Sequence, residues 1–355
     1  MRLGIIGLPQ SGKTTIFNAL TRGNQPTSMG GGRFEVHTSV VDVPDPRVDR
    51  LSAMFNPKKT TYTKVTFADI AGLDGAAGQS GISGQLLNQL TQMDGFILVV
   101  RAFADDNIPH PAGSVHPQRD VETMAEEFLL NDLIAVERKM ERLEEEKKKG
   151  GGRDKAVIQR EKELFEKLNA QLSENQPLRH LVLNAEEEKI LAGFGFLSLK
   201  PLLVVPNLAE DQDTIQINPG EGVQTLPLRG QLEMEIAQLA PDEAEIFMAE
   251  YGLEESSLAR MIHMAYQILG VQSFFTVGED EVRAWTVPVG ATAPEAAGAI
   301  HSDLQKGFIR AEVVSYEDLM ELGGMAEARG KGKLHVEGKE YIVKDGDIVH
   351  IRFNL

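Results

Sequence analysis

Residues 7–15 read Gly-Leu-Pro-Gln-Ser-Gly-Lys-Thr-Thr and follow a short apolar strand, Leu3-Gly4-Ile5-Ile6. This is the spacing Gly-x-x-x-x-Gly-Lys-Ser/Thr of a phosphate-binding loop in its strand–loop–helix setting. Gly7 and Gly12 let the backbone close around an anion. Gln10, Ser11 and Thr15 lie in the same loop and helix start, where N–H groups and the helix N-terminus cradle phosphates. Lys13 is placed to reach the β- and γ-phosphates, and the Thr14 hydroxyl is placed to ligate Mg²⁺. The chemistry implied is binding and transfer of a nucleoside triphosphate's terminal phosphoryl group.

Asp69-Ile70-Ala71-Gly72 ends a later strand as an Asp-x-x-Gly element. Its Asp approaches Mg²⁺ through water, and the Gly72 amide senses a γ-phosphate. Glycines at 72, 75, 78, 81 and 84 make the following segment a switch-loop candidate. Leu73 stands where Ras-type GTPases carry a water-orienting glutamine, so another group must orient the water or hydrolysis is slow. Asn207-Leu208-Ala209-Glu210 occupies the place of the guanine-reading Asn-Lys-x-Asp. The carboxylate of Glu210 sits one methylene further out and Leu208 replaces the lysine. Adenine, which offers no paired N1–H, is therefore a plausible base.

These groups need a parallel sheet behind them. Apolar runs at 2–6, 36–43, 62–69, 95–101, 201–205 and 223–226 read as its strands. The chain has 355 residues, no cysteine and a formal net charge of −17. Two or three domains are expected, without disulfides, thiolate chemistry or sulfur-ligated metal. The acidic balance argues against general nucleic-acid binding and against a specific DNA partner. No signal peptide or membrane-spanning run is evident, so a cytoplasmic location is expected.

The α/β pattern is interrupted at 121–199. Leu129, Leu133, Val136, Met140 and Leu143 form a heptad seam. After Gly150-Gly151-Gly152, Ile158, Phe165, Leu168 and Leu172 mark a second helix. The segment reads as an antiparallel coiled-coil hairpin. Eleven Lys/Arg against eight Asp/Glu between Arg138 and Lys167 make it a candidate polyanion-facing arm. Residues 241–275 read as helical. From Ser273 onward, short strands with one helix near 293–305 suggest a small β-rich module that ends the chain.

At these residues the chain resembles the YchF/Obg-like ATPase family. The phosphate loop, DIAGL at 69–73, the Asn-x-x-Glu element and the tail carry the resemblance. The tail reads VRAWTVPVGATAPEAAGAIHSDLQKGFIRAEV at 282–313 and EGKEYIVKDGDIVHIRFN at 337–354. It implies an α/β P-loop nucleotide-binding domain over 1–120 and 200–278, the coiled-coil insertion over 121–199, and a TGS domain of β-grasp type over 281–355. It also implies ATP binding and slow hydrolysis with Mg²⁺, and association with the ribosome or with a translation or stress partner. The catalytic candidates are then Lys13 and His110, the latter matching the family's histidine in the run VRAFADDNIPH. Nucleotide contacts fall to Gly7, Gln10, Ser11, Gly12, Lys13, Thr14, Thr15, Gly72, Asn207, Leu208 and Glu210. Metal contacts fall to Thr14, to Asp69 through water, and to Thr38, which substitutes for a first-switch threonine whose place is taken by Arg33. An Obg-class GTPase and a nucleotide-stabilised binding module without turnover are the alternatives.

Overall fold

A computed structural model describes the chain except for residues 24, 26–35, 71–81, 83, 150–152, 251–255 and 355. The chain divides into two compact units, Met1–Val40 with Thr66–Leu258, and Val41–Val65 with Ala259–Leu355.

The first unit is built on a six-stranded sheet. Its strands are β1 (Arg2–Ile6), β2 (Val36–Asp42), β4 (Lys64–Ile70), β5 (Gly95–Arg101), β6 (Leu202–Asn207) and β7 (Gln224–Thr225), in the order β2-β4-β1-β5-β6-β7. From β4 through β7 the pairing is parallel. Every residue of β5 and β6 is buried, as expected of parallel strands covered on both faces. The chain passes from β4 to β5 across β1. That switch point opens a crevice at the carboxyl ends of β1, β4 and β5, where α/β sheets bind ligands.

The interruption is a hairpin of two helices, Pro117–Lys149 and Lys155–Ser173. Val136, Leu143, Ile158, Phe165, Leu168 and Leu172 share its buried core, with Leu129, Leu133 and Met140 at the margin. The heptad seam thus packs as its spacing predicts. Phe165 sits against Phe194, with ring centres 5.0 Å apart. Buried Asp132 roots the hairpin by accepting from the N–H groups of Leu197 (2.9 Å) and Ser198 (2.7 Å). Lys139–Glu161 and Lys162–Glu144 pair across the two helices, and Arg153, just before the second, pairs with Glu146 of the first. Glu144 is drawn across the hairpin to Lys162, rather than only along its own helix to Lys148. The glycine turn lies outside the described residues.

The second unit holds a sheet of β3 (Lys59–Thr61), β8 (Val271–Thr276), β9 (Glu281–Pro288), β10 (Phe308–Val314), β11 (His335–Glu337) and β12 (Ile348–Phe353). Its order is β11-β10-β12-β8-β9-β3. The segment 41–65 belongs here: β3 pairs with β9, and Val48 and Leu51 share a core with Phe275, Val282 and Ile348. The helix carrying Val48, Pro46–Phe55, starts on an Asp45 cap with proline next to it. The module has more than the one helix expected. Ala293–Ile300, Ser302–Lys306, Tyr316–Leu322 and Met325–Gly330 are all helical, and the last two are too short for periodicity to reveal. Residues 341–343 make an isolated bridge, Thr292 with Ile342, instead of a strand. Part of 241–275 is strand β8, because its pairing with β9 on one side and β12 on the other overrides the helical reading. Among the described residues no helix is long and apolar enough to cross a membrane.

Phe165 fills the hairpin core between two other rings, so Phe165→Ala is expected to cost about 3–5 kcal/mol. Urea unfolding followed by circular dichroism checks this, and a loss below about 1 kcal/mol contradicts the packing described.

Candidate nucleotide-binding site

The site begins where β1 ends. Gly7 has φ +149°, and a Cβ there would stand 2.2 Å from the Val99 carbonyl oxygen. Gly12 has φ +95°, and its Cβ would stand 2.1 Å from Asn207 Nδ2. Neither position admits a side chain. Gln10 also has positive φ, +61°, a strained conformation of the kind that collects at functional sites. The helix Lys13–Thr21 then buries Ile16, Phe17, Ala19 and Leu20, which anchors its N-terminus at the crevice.

Lys13 is buried. Its ammonium donates to the carbonyls of Gly7 (3.0 Å) and Leu8 (2.8 Å), so it lies along the loop that a phosphate would occupy. The Thr14 hydroxyl donates to Asp69 Oδ2 at 2.7 Å. Asp69 is buried, and its Oδ1 has no hydrogen-bond partner. Burial pushes its carboxyl above the ordinary range, an effect opposed by Thr14, Lys13 and His37. A hydroxyl beside an orphaned carboxylate oxygen is a donor set that fits a hard divalent cation, reached directly by Thr14 and through water by Asp69. Among the described residues there is no cluster of three or more His, Asp or Glu suited to a metal, so most of a Mg²⁺ shell would have to come from phosphate and water.

Asn207 closes the site from the β6 side. Its Nδ2 donates to the Ser11 carbonyl (3.0 Å), and its Oδ1 accepts from Gly230 N–H (3.0 Å). Leu208 is buried, and its N–H donates to the Leu228 carbonyl at 2.8 Å. Glu210 is exposed in the turn that follows. Gln212 ties this turn together, accepting from Ala209 N–H and donating to the Ala102 carbonyl. Ser11 Oγ is buried without a partner, and Thr15 is half-buried on the helix.

His110 belongs to a second bonded group. Arg101, fully buried at the end of β5, donates to the carbonyls of Phe103 (3.1 Å), Asp105 (3.2 Å) and Ile108 (2.8 Å). It therefore fixes the loop that carries the histidine. His110 Nε2 lies 2.9 Å from Asp120 Oδ2, and Ala112 N–H donates to Nδ1 at 3.1 Å. The first turns of helix 117–149 place Val121, Met124 and Phe128 against Ile6, Leu8 and Ile70, bringing this loop back over the same edge of the sheet.

Hydrogen bonds thus join Lys13 to Gly7, Thr14 to Asp69 and Asn207 to Ser11, with Gly12 packed against Asn207. Thr38 is exposed on β2, while its neighbour His37 is half-buried and lies close enough to act on Asp69 after Lys13. Gly72, Leu73 and Arg33 lie outside the described residues. Sequence reasoning missed Gly230, the start of helix Gly230–Gln238, whose approach leaves no room for a Cβ beside Asn207 Oδ1 (2.8 Å). It also missed Arg101 and Asp120.

Two family models match the chain: a "50S ribosome-binding GTPase" model over residues 2–139, and the C-terminal YchF-GTPase model, described as a protein of unknown function, over 271–354. The "Ribosome-binding ATPase YchF" of Escherichia coli O157:H7 is 42% identical over 364 residues, covering 100% of this chain and 99% of the relative. The chain belongs to the YchF family. The YchF protein of Bacillus subtilis, with the same description, is 40% identical over 365 residues and covers 99% of each chain. A solved structure, "Structure of the Schizosaccharomyces pombe YchF GTPase", superposes with a TM-score of 0.83 at 31% identity, covering 99% of this chain and 97% of that one. The P-loop domain, coiled-coil insertion and C-terminal β-grasp domain described above are therefore those of a YchF protein.

Asn207→Ala leaves Ser11 C=O and Gly230 N–H without a partner. It is expected to cost about 1–3 kcal/mol per abandoned group and to weaken nucleotide binding, read by urea unfolding and nucleotide titration. Asp69 gives a pH dependence. Its carboxyl is raised in the folded chain, so folding takes up a proton between the unfolded and folded values, and stability falls as pH rises through that window. Above it, Asp69→Asn is expected to raise the Tm of the nucleotide-free protein by about 2–4 °C. A lower Tm in the variant contradicts the uncompensated charge.

Proposed function

We propose that the chain binds ATP with Mg²⁺, hydrolyses it slowly to ADP and phosphate, and couples nucleotide state to association with the ribosome. The supporting observation is the Lys13–Thr14–Asp69 arrangement at the phosphate loop, with Asn207 locking that loop to the base-side turn. Two relatives described as ribosome-binding ATPases support the same reading.

Bound Mg²⁺ would neutralise charge developing on the β- and γ-phosphates. Thr14 and, through water, Asp69 are the residues to hold it. Lys13 would leave the Gly7 and Leu8 carbonyls for the phosphates. Gly7, Gln10, Ser11, Gly12 and Thr15 supply the cradle, and Gly72 supplies the γ-phosphate contact. His110 is the group to orient or deprotonate the attacking water, a role suited to neutral imidazole.

Base choice rests on Asn207, Leu208 and Glu210. Both ends of the Asn207 amide are engaged within the protein, which leaves one Nδ2–H for a base edge. Leu208 offers apolar contact. Glu210, exposed and longer than aspartate, is not held as a guanine clamp. A second reading is GTP, because a matching family model and the fission-yeast structure are both described as GTPases.

Ribosome docking is assigned to the hairpin (121–199) and the C-terminal module (281–355). Arg153 at the hairpin tip is already paired with Glu146 and Glu161, so Lys147, Lys148 and Lys155 are the cations to reverse. Co-sedimentation is expected to weaken steeply with salt and to fall when those lysines are reversed.

A paired ATP and GTP titration with Mg²⁺ tests the core of the proposal. ATP is expected to bind tighter, and Lys13→Ala and Thr14→Ala are each expected to lower affinity or turnover tenfold or more, about 1.4 kcal/mol. A tenfold preference of the wild type for GTP overturns the base assignment. Unaltered binding and turnover in a folded Lys13→Ala variant overturn the phosphate-loop assignment.

A further inference from the structure

We propose that Asp120 is the positioning residue for His110. By its hydrogen bond it would fix the imidazole in the Nε2–H tautomer, making Nδ1 the nitrogen that receives a proton from the attacking water. The inference rests on the reading of His110 as the water-activating group.

Four observations carry it. The His110 and Asp120 side chains are only 3% and 2% exposed, and Nε2 faces Oδ2 at 2.9 Å. A carboxylate accepts and cannot donate, so the proton of a neutral ring belongs on Nε2. At the other nitrogen, Ala112 N–H donates to Nδ1 at 3.1 Å, which requires a lone pair there. Finally, Arg119 donates to the second Asp120 oxygen, from Nη2 at 2.9 Å and from Nε at 3.1 Å. The arginine engages that oxygen and leaves Oδ2 turned towards the histidine.

Both ring nitrogens are occupied in this arrangement. The Ala112 contact spans only two residues, in a turn that ends at Gly113 with φ +77°. It is the bond that a water must displace to reach Nδ1. In the step that follows, a water proton passes to Nδ1 and the water oxygen bonds to the γ-phosphorus. The bond from that phosphorus to the β–γ bridging oxygen breaks, and ADP leaves with the electron pair. The imidazolium so formed holds its Nε2–H against the Asp120 carboxylate, which stabilises the positive charge, as the buried carboxylate does for histidine in hydrolytic triads. Arg119 Nη2, which can only donate, lies 3.5 Å from Nδ1 and would have to give way to the same water.

Arg119 makes Asp120→Asn a sharp test. Its donors require the amide oxygen of the asparagine, so the amide NH₂ must face His110 Nε2. That forces the ring proton onto Nδ1 and removes the reactive lone pair, with little change in size.

The experiment uses the full chain. Turnover of Mg·ATP and ATP affinity are measured for wild type, His110→Ala, Asp120→Asn and the double variant, with ¹⁵N NMR of the histidine rings in wild type and Asp120→Asn. Expected results are an Nε2–H signal for His110 in wild type and an Nδ1–H signal in Asp120→Asn. Turnover should fall roughly 10²-fold in each single variant with affinity within about twofold, and the double variant should be no slower than His110→Ala. Unchanged turnover in His110→Ala overturns the reading of the histidine itself. Slow His110→Ala with near-normal Asp120→Asn overturns the positioning role alone. An Nδ1–H tautomer in the wild type also overturns it, whatever the stability of the variants.

Discussion

The side-chain amide of Asn207 is the interaction on which the site depends. It joins three segments that are remote in sequence: the phosphate loop at Ser11, the end of β6, and the helix that starts at Gly230. Each end of the amide is used once, and both partners are buried backbone groups that would otherwise lack a bond. This explains two glycines at once. Gly12 must be bare because Asn207 Nδ2 lies where its Cβ would be, and Gly230 because Asn207 Oδ1 crowds it from the other side. A residue that looks like a base reader is first a tie that gives the phosphate loop its place.

Electrostatics sets a second constraint. The chain is strongly acidic, yet its phosphate site must accept further anions. It does so locally, by burying Lys13 against loop carbonyls and by leaving one oxygen of Asp69 unsatisfied. Both are costly without ligand. On the proposed reading, phosphate would take the ammonium and a hydrated cation the carboxylate, so that empty and filled states would differ in stability as well as in contacts.

The chemistry-bearing spacing was legible in the sequence because a phosphate loop is local: Gly7 through Thr15 carry their meaning within nine positions. The coiled coil was legible for a similar reason, its repeat extending over many turns. The ties between segments were not. Arg101 holding three carbonyls, Asp120 facing His110, and Asn207 reaching Gly230 are long-range or irregular hydrogen bonds, and no period announces them. Thr38 and His37 differ by one residue on a strand, which is enough to exchange the exposed face for the one Asp69 senses. The two short helices after Ser315 leave too few turns for an apolar stripe to be read.

The placement of residues 41–65 has a consequence for how the chain is made. This segment leaves the nucleotide-binding unit after β2, contributes Val48, Leu51 and β3 to the core and sheet of the second unit, and returns to β4. Its partners, β8, β9 and β12, come much later in the chain, within residues 271–353. An early segment must therefore wait, with its apolar helix face uncovered, until those strands have been synthesised. Domains generally fold as units, N-terminal ones first. Here the first unit can close around its sheet while a loop of its own chain is held in reserve for the second.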